Sequence, residues 1–339
     1  MIDNLCYLAI LIAFLLFILI GAKKTPAGAV DQGEVLKRMN ALRGVFAIEV
    51  TIGHVFRDQM TILYPLGKFM IISVAFFFFL SGFGLVYSFH RKKDYLKPSF
   101  LIGKPLYLLT ITVLFYALYI VIDLICPKDL GYVSSNLLYS FWKHSNWYLF
   151  ELILFYLLFY LAYRFLPARF RILAITAVTL AGIIGIYLYG GEDWIAWYAS
   201  SLGFPLGLVF GEHYEQVHDL LTGKLGITLT VLTALFGLSS LVLGVNMMSM
   251  VFMRNAICLS GIALLYLVVL RFRFGNKLMR LATKYSLEIY LTQFPFQAIA
   301  RIYGWDLKFA YVFTTVCWLV TSIAIHPAVV GIKKLYKRM

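Results

Sequence analysis

Long apolar runs alternate along this chain with short clusters of Lys and Arg, and polar residues seldom interrupt a run. A hydrocarbon core about 30 Å thick needs roughly 20 apolar residues in a helix to cross it. The runs predict eleven spans, at residues 5–21, 42–56, 69–89, 106–125, 147–163, 172–189, 194–210, 225–245, 251–270, 286–300 and 309–332. The second and tenth are the shortest, and they carry Glu49, His54, Glu288 and Gln293. Side chains of this kind inside a span face the bundle interior or an aqueous path rather than lipid. The expected fold is all-α, a polytopic transmembrane helical bundle of about eleven helices. No loop is long enough to hold a second folded domain.

Composition agrees with the pattern. Of 339 residues, 62% are hydrophobic and 14% charged, whereas a soluble chain is about half apolar and a quarter charged. The net charge of +14 could suggest a nucleic-acid partner, but its distribution argues otherwise. With the N-terminus outside and strict alternation, 23 of the 30 Lys and Arg residues fall in the inner gaps. That is the positive-inside pattern, and it puts the C-terminus in the cytoplasm. The basic loops then reflect topology and contact with anionic membrane lipids, with no nucleic acid required. The first run looks like the apolar part of a signal peptide. Its leader Met1-Ile2-Asp3-Asn4 lacks a basic start, however, and Lys23 and Lys24 follow it, so a retained anchor is expected. Residues 1–34 are read as this anchor and a cytoplasmic linker, and residues 35–339 as one membrane domain. The four cysteines (Cys6, Cys126, Cys258, Cys317) lie far apart in or beside apolar runs, without disulfide or metal-ligand spacing.

The second run holds the chemistry. Arg43 and His54 are eleven residues apart, three helical turns plus about 20°, so both point one way, about 16 Å apart along the axis. Arg43 would sit at the cytoplasmic edge and His54 deeper. Asp58 follows His54 by four residues, in reach of the imidazole to set its tautomer. Glu49 lies about 140° round the helix from His54 and serves a different face. The plainer alternative has Arg43 snorkelling and His54 packing against a neighbouring helix.

Asn40-Ala-Leu-Arg43-Gly-Val-Phe-Ala, followed by Gly-His54, resembles the opening helix of the membrane acyltransferase type 3 family. Phe76-Phe77-Phe78-Phe79-Leu80-Ser81-Gly82 is similar to the family's Phe-Phe-x-x-Ser-Gly signature. Asn146-Trp147-Tyr148-Leu149 and Tyr285-Ser286-Leu287-Glu288-Ile289-Tyr290-Leu291-Thr292-Gln293 look like its later motifs. The likeness runs from Arg38 to about the C-terminus and leaves the first helix outside a ten-helix acyltransferase core. Three positions depart from the pattern. Asn40 replaces an acidic residue, and Gln293 stands where many members have His. Lys97 and Lys104 precede Pro105 in place of paired arginines, so the bidentate fork of Arg is absent there.

The resemblance implies transfer of an acyl group, most often acetyl from cytoplasmic acetyl-CoA, to a hydroxyl of a cell-surface carbohydrate or lipid-linked glycan. It also implies a bacterial inner membrane and no metal. His54 would be the general base, Arg43 a donor-binding or carbonyl-polarising group, and Asp58 the orienter of His54. Ser81, Lys97 and Lys104 are donor-binding candidates, although Ser81-Gly82 reads first as a helix-packing pair. Glu151, Glu288 and Gln293 are candidates to pair with Arg43 or touch substrate. Trp147 is an interfacial anchor with glycan stacking as a second use. His90, His144, His213, His218 and His326 fall at segment ends or in loops and are expected to be solvated. Two rivals fit parts of the pattern. A transporter or flippase would also place Arg, His and Glu near broken helices, although no repeat joins the two halves. A non-catalytic glycan receptor on the same scaffold is the other.

Overall fold

The computed structural model describes residues 2–25, 30–56, 61–133, 140–141, 147–190, 194, 197–242 and 251–338. Its elements are helical, apart from a two-residue strand pair. The first half comprises α1 (Ile2–Leu19), α2 (Gln32–Asn40), α3 (Arg43–Phe56), α4 (Tyr64–Arg91), α5 (Ser99–Ile125), α6 (Trp147–Phe165) and α7 (Ala168–Gly190). The second comprises α8 (Gly203–Glu212), α9 (Tyr214–Thr222), α10 (Lys224–Val242), α11 (Val251–Arg271), α12 (Lys277–Lys284), α13 (Ser286–Ile302) and α14 (Leu307–Arg338). Strands β1 (Lys23–Lys24) and β2 (Phe272–Arg273) pair antiparallel, with Lys23 opposite Arg273. The ends of α1 and α11 therefore meet at one face of the bundle.

Among the described residues, six helices are long and apolar enough to cross a membrane, or seven if α9 and α10 form one span bent by 78°. The chain is an integral membrane protein. The other predicted spans differ in extent. α3 has 14 residues and α13 has 17, and both are held inside the bundle. Residues 194–210 do not form one span: α8 begins only at Gly203. The chain just before α8 is supported by Asn255 of α11, whose Nδ2 donates to the Tyr198 carbonyl at 2.8 Å. Its Oδ1 accepts from the Leu202 amide at 3.3 Å. Non-helical backbone at membrane depth needs such partners because lipid supplies none.

α4 is the central helix. Its run Ser73–Leu80 is buried without interruption, so hydrophobicity all round it marks a core helix. α8 lies against it through glycines spaced by four. A Cβ on Gly203 would stand 2.3 Å from the Ala75 carbonyl oxygen, and one on Gly207 2.2 Å from that of Phe79. Gly82 of α4 reciprocates, 2.4 Å from the Phe204 carbonyl oxygen. Small residues let the backbones approach where lipid offers no hydrophobic drive to association. This is the packing expected of Ser81-Gly82.

α2 ties the basic face together. Asp31 caps it, accepting from the Gly33 and Glu34 amides. Arg38 donates to the Val269 carbonyl at 3.0 Å, which holds the end of α11. Glu34 receives Arg38 Nε at 3.0 Å and Arg273 Nη2 at 2.5 Å. Burial alone would raise the Glu34 carboxyl, but these two hydrogen bonds outweigh it and hold it below its ordinary value. The stabilisation is present above the usual carboxylate range of about 4.3 and fades as pH falls through the lower folded value. Glu34→Gln is therefore expected to lower the unfolding temperature at pH 7. The gap to the native protein should close on acidification below about pH 4, as measured by thermal scans across pH.

Candidate active site

Gly44 explains why the Leu-Arg-Gly segment sits where it does. A Cβ on Gly44 would come 2.4 Å from the Thr283 amide nitrogen of α12. The close approach lets Thr283 Oγ1 donate to the Ala41 carbonyl at 3.0 Å and accept from the Gly44 amide at 3.3 Å. These contacts pin the first turn of α3, and with it Arg43. Gly44→Ala must push α12 away, so a loss of about 1–3 kcal/mol is expected. Chemical or thermal unfolding would register it, and an unchanged midpoint would remove this packing role.

Arg43 lines a cavity of about 540 Å³. Its cationic described residues are Arg43, Lys104, Lys284 and Lys333, and Glu288 is the one carboxylate among them. Low-dielectric walls carrying one sign of charge concentrate field lines and attract an anionic ligand. Lys104 arrives on a π turn, Ile102–Leu106, which accommodates Pro105 inside α5. Ser81 also lines the cavity. Its Oγ donates to the Phe77 carbonyl at 2.9 Å, and Tyr148 and Tyr156 line the same cavity. Tyr95, on the loop between α4 and α5, adds another hydroxyl to the lining. Burial pushes it up to about 12, so it stays protonated at neutral pH.

The acid in the cavity is paired. Glu288 is 2% exposed, and its Oε1 lies 2.6 Å from His326 Nδ1. The register between α13 and α14 brings them together. Thr292 Oγ1 lies 3.0 Å from Ser322 Oγ, and Glu288 and His326 each stand one turn from those residues. His326 is therefore a cavity residue inside α14, not the solvated histidine expected at a segment end or in a loop. The legible signal was the matched spacing of four, Glu288 to Thr292 on one helix and Ser322 to His326 on the other.

His54 is half-buried, and its ring meets Phe294 edge-on at 5.7 Å. It does not line the cavity that holds Arg43. A chain of ring contacts runs from His54 to the cavity wall. Phe294 contacts Tyr290 at 6.0 Å, and Tyr290 contacts Tyr148 at 5.3 Å and Phe77 at 6.0 Å. Tyr148 and Phe77 are part of the cavity wall. Arg43 and His54 therefore share α3 but not the lining of this cavity.

The remaining predicted site residues scatter. Lys97 pairs with Asp94 at 3.0 Å, both largely exposed and outside the cavity lining. Trp147 packs on Phe78, Tyr148 and Trp197. Glu151 is buried against Ser201, with Oε2 lacking a hydrogen-bond partner. Gln293 is fully buried, donating to the Tyr290 carbonyl at 2.9 Å and accepting from Gln297. None of these three lines the cavity. Asp58 and His144 lie outside the described residues.

A family model described as an acyltransferase domain matches residues 36–329, which takes in Arg43, His54, Glu288 and His326 and leaves out α1. No curated protein and no solved structure is matched. A match over that length joins the Leu-Arg-Gly helix, the Phe-rich α4 and the α13–α14 pair into one inherited unit, and the chain belongs to the acyltransferase type 3 family, as an integral-membrane acyltransferase.

Proposed function

We propose that the protein moves an acyl group, in the simplest case acetyl from acetyl-CoA, onto a hydroxyl of a cell-surface carbohydrate or lipid-linked glycan. The observation that carries this reading is the cationic cavity around Arg43 on the same helix as His54. The anionic part of acyl-CoA suits Arg43, Lys104, Lys284 and Lys333, with Arg43 placed to bind phosphate or polarise the thioester carbonyl. The thioester arm then passes the Phe77–Tyr148–Tyr290–Phe294 rings to reach His54. His54 takes the proton from the acceptor hydroxyl as its oxygen attacks the thioester carbon, and the CoA thiolate leaves. An acyl-histidine intermediate reaches the same products in two steps.

The basic residues support a cytoplasmic cavity mouth, an N-terminus outside and a C-terminus inside, in a bacterial inner membrane. The acceptor then enters from the outer side, where His54 sits. Purified protein given labelled acetyl-CoA and surface-glycan acceptors is expected to yield labelled, base-labile ester. Movement of acceptor across vesicle membranes without any ester formed would favour the transporter reading instead.

A further inference from the structure

The face of α3 turned away from His54 carries a second buried group. Glu49 is 4% exposed. Ser73 Oγ, on α4, donates to its Oε2 at 2.5 Å, and its Oε1 has no hydrogen-bond partner. Glu49 lines a cavity of about 360 Å³ that shares no residue with the one around Arg43. Apart from Glu49 and Ser73, every lining side chain is apolar, with walls from Phe14 and Ile18 of α1, Phe46 of α3, Phe69 of α4 and Leu264 of α11.

Water does not suit this space. An ordered water needs two to four polar partners, and an apolar cavity of less than half this volume stays dry and takes up hydrocarbon. Yet an orphaned carboxyl oxygen in such a place carries the full desolvation penalty. Ionised, Oε1 needs a donor. Protonated on that oxygen, it needs an acceptor. A hydroxyl supplies either, whereas an ammonium only donates and an ester carbonyl only accepts. We propose that this cavity binds a lipid alcohol, its chain among the apolar walls and its hydroxyl on Glu49 Oε1. α1 contributes three of the lining residues although it lies outside the matched acyltransferase domain, which gives that helix a ligand-holding role.

The test is photolabelling of the full-length protein in phosphatidylcholine vesicles with a diazirine-bearing hexadecanol, followed by peptide mapping. Label is expected on residues 14–19 or 261–268, competed by unlabelled hexadecanol and not by hexadecane. Glu49→Leu should cut that labelling about tenfold, the value of one lost hydrogen bond to a carboxyl group, while Glu49→Gln should largely keep it. Leu264→Trp fills the space without touching the carboxyl and should also reduce labelling. Equal competition by hexadecane means that any acyl tail suffices and overturns the proposal, as does undiminished labelling in Glu49→Leu or label confined to other peptides.

Discussion

Alanine at position 54 is expected to lower acyl transfer by about 10²–10⁴-fold, the range for losing a positioned general base. The imidazole is half-buried beside Phe294, so its removal opens little core volume and the protein should still fold. The informative measurement pairs initial rates of labelled acetyl transfer with an unfolding scan on the same preparation. The loss should fall on kcat, with KM for acetyl-CoA changed little, because His54 does not line the cavity that would hold the donor. Transfer at native rates in His54→Ala would remove the base role. If the reaction runs through an acyl-histidine, brief incubation with donor alone should leave label on the native protein and none on the variant.

Arg43→Gln should instead act on the donor. A hydrogen bond to a charged group contributes about 1.5–3 kcal/mol, so KM for acetyl-CoA should rise on the order of 10- to 100-fold. Arg43→Lys should recover part of that loss, since a point charge still attracts phosphate but lacks the planar fork. Lys97 provides the contrast. It is already paired with Asp94 in solvent, and exposed pairs contribute little, so Lys97→Ala should leave KM close to native. A comparable rise in both would mean that diffuse positive charge, not the position of Arg43 in the cavity, governs donor binding. High salt should separate the two further, because screening acts most strongly on exposed charge.

The contrast between Arg43 and His54 also shows how far a helical repeat can be read. Spacing by eleven put both on one face of α3, which holds because a single helix fixes the phase of its own side chains. Whether a shared face means a shared passage depends on a different helix. Here α13 brings Phe294 to His54 and Tyr290 to the cavity-wall rings Tyr148 and Phe77, and the spacing within α3 carries no information about that. His326 follows the same logic. A place at a segment end or in a loop suggests solvent, but its neighbour Glu288 comes from α13, 38 residues earlier. Trp147 and Glu151 stand out in the sequence for their motif and polarity. The turn of α6 that bears them faces Trp197 and Ser201, while Tyr148 of the same turn reaches the cavity.

By itself the sequence determined the class of solvent around the molecule, the helical fold and the family. Each follows from quantities local to a run, namely its length, its apolar content and the residues at fixed spacing along one helix. Only the tertiary structure decided which polar side chains share a compartment. Arg43 shares a cavity with Lys104 and the Glu288–His326 pair, His54 lies against Phe294 outside that lining, and Glu49 opens into separate apolar space. Those outcomes depend on the rotation and register of one helix against another. They are set where small residues such as Gly44, Gly82 and Gly207 allow backbones to touch, and no periodicity within a single segment encodes them.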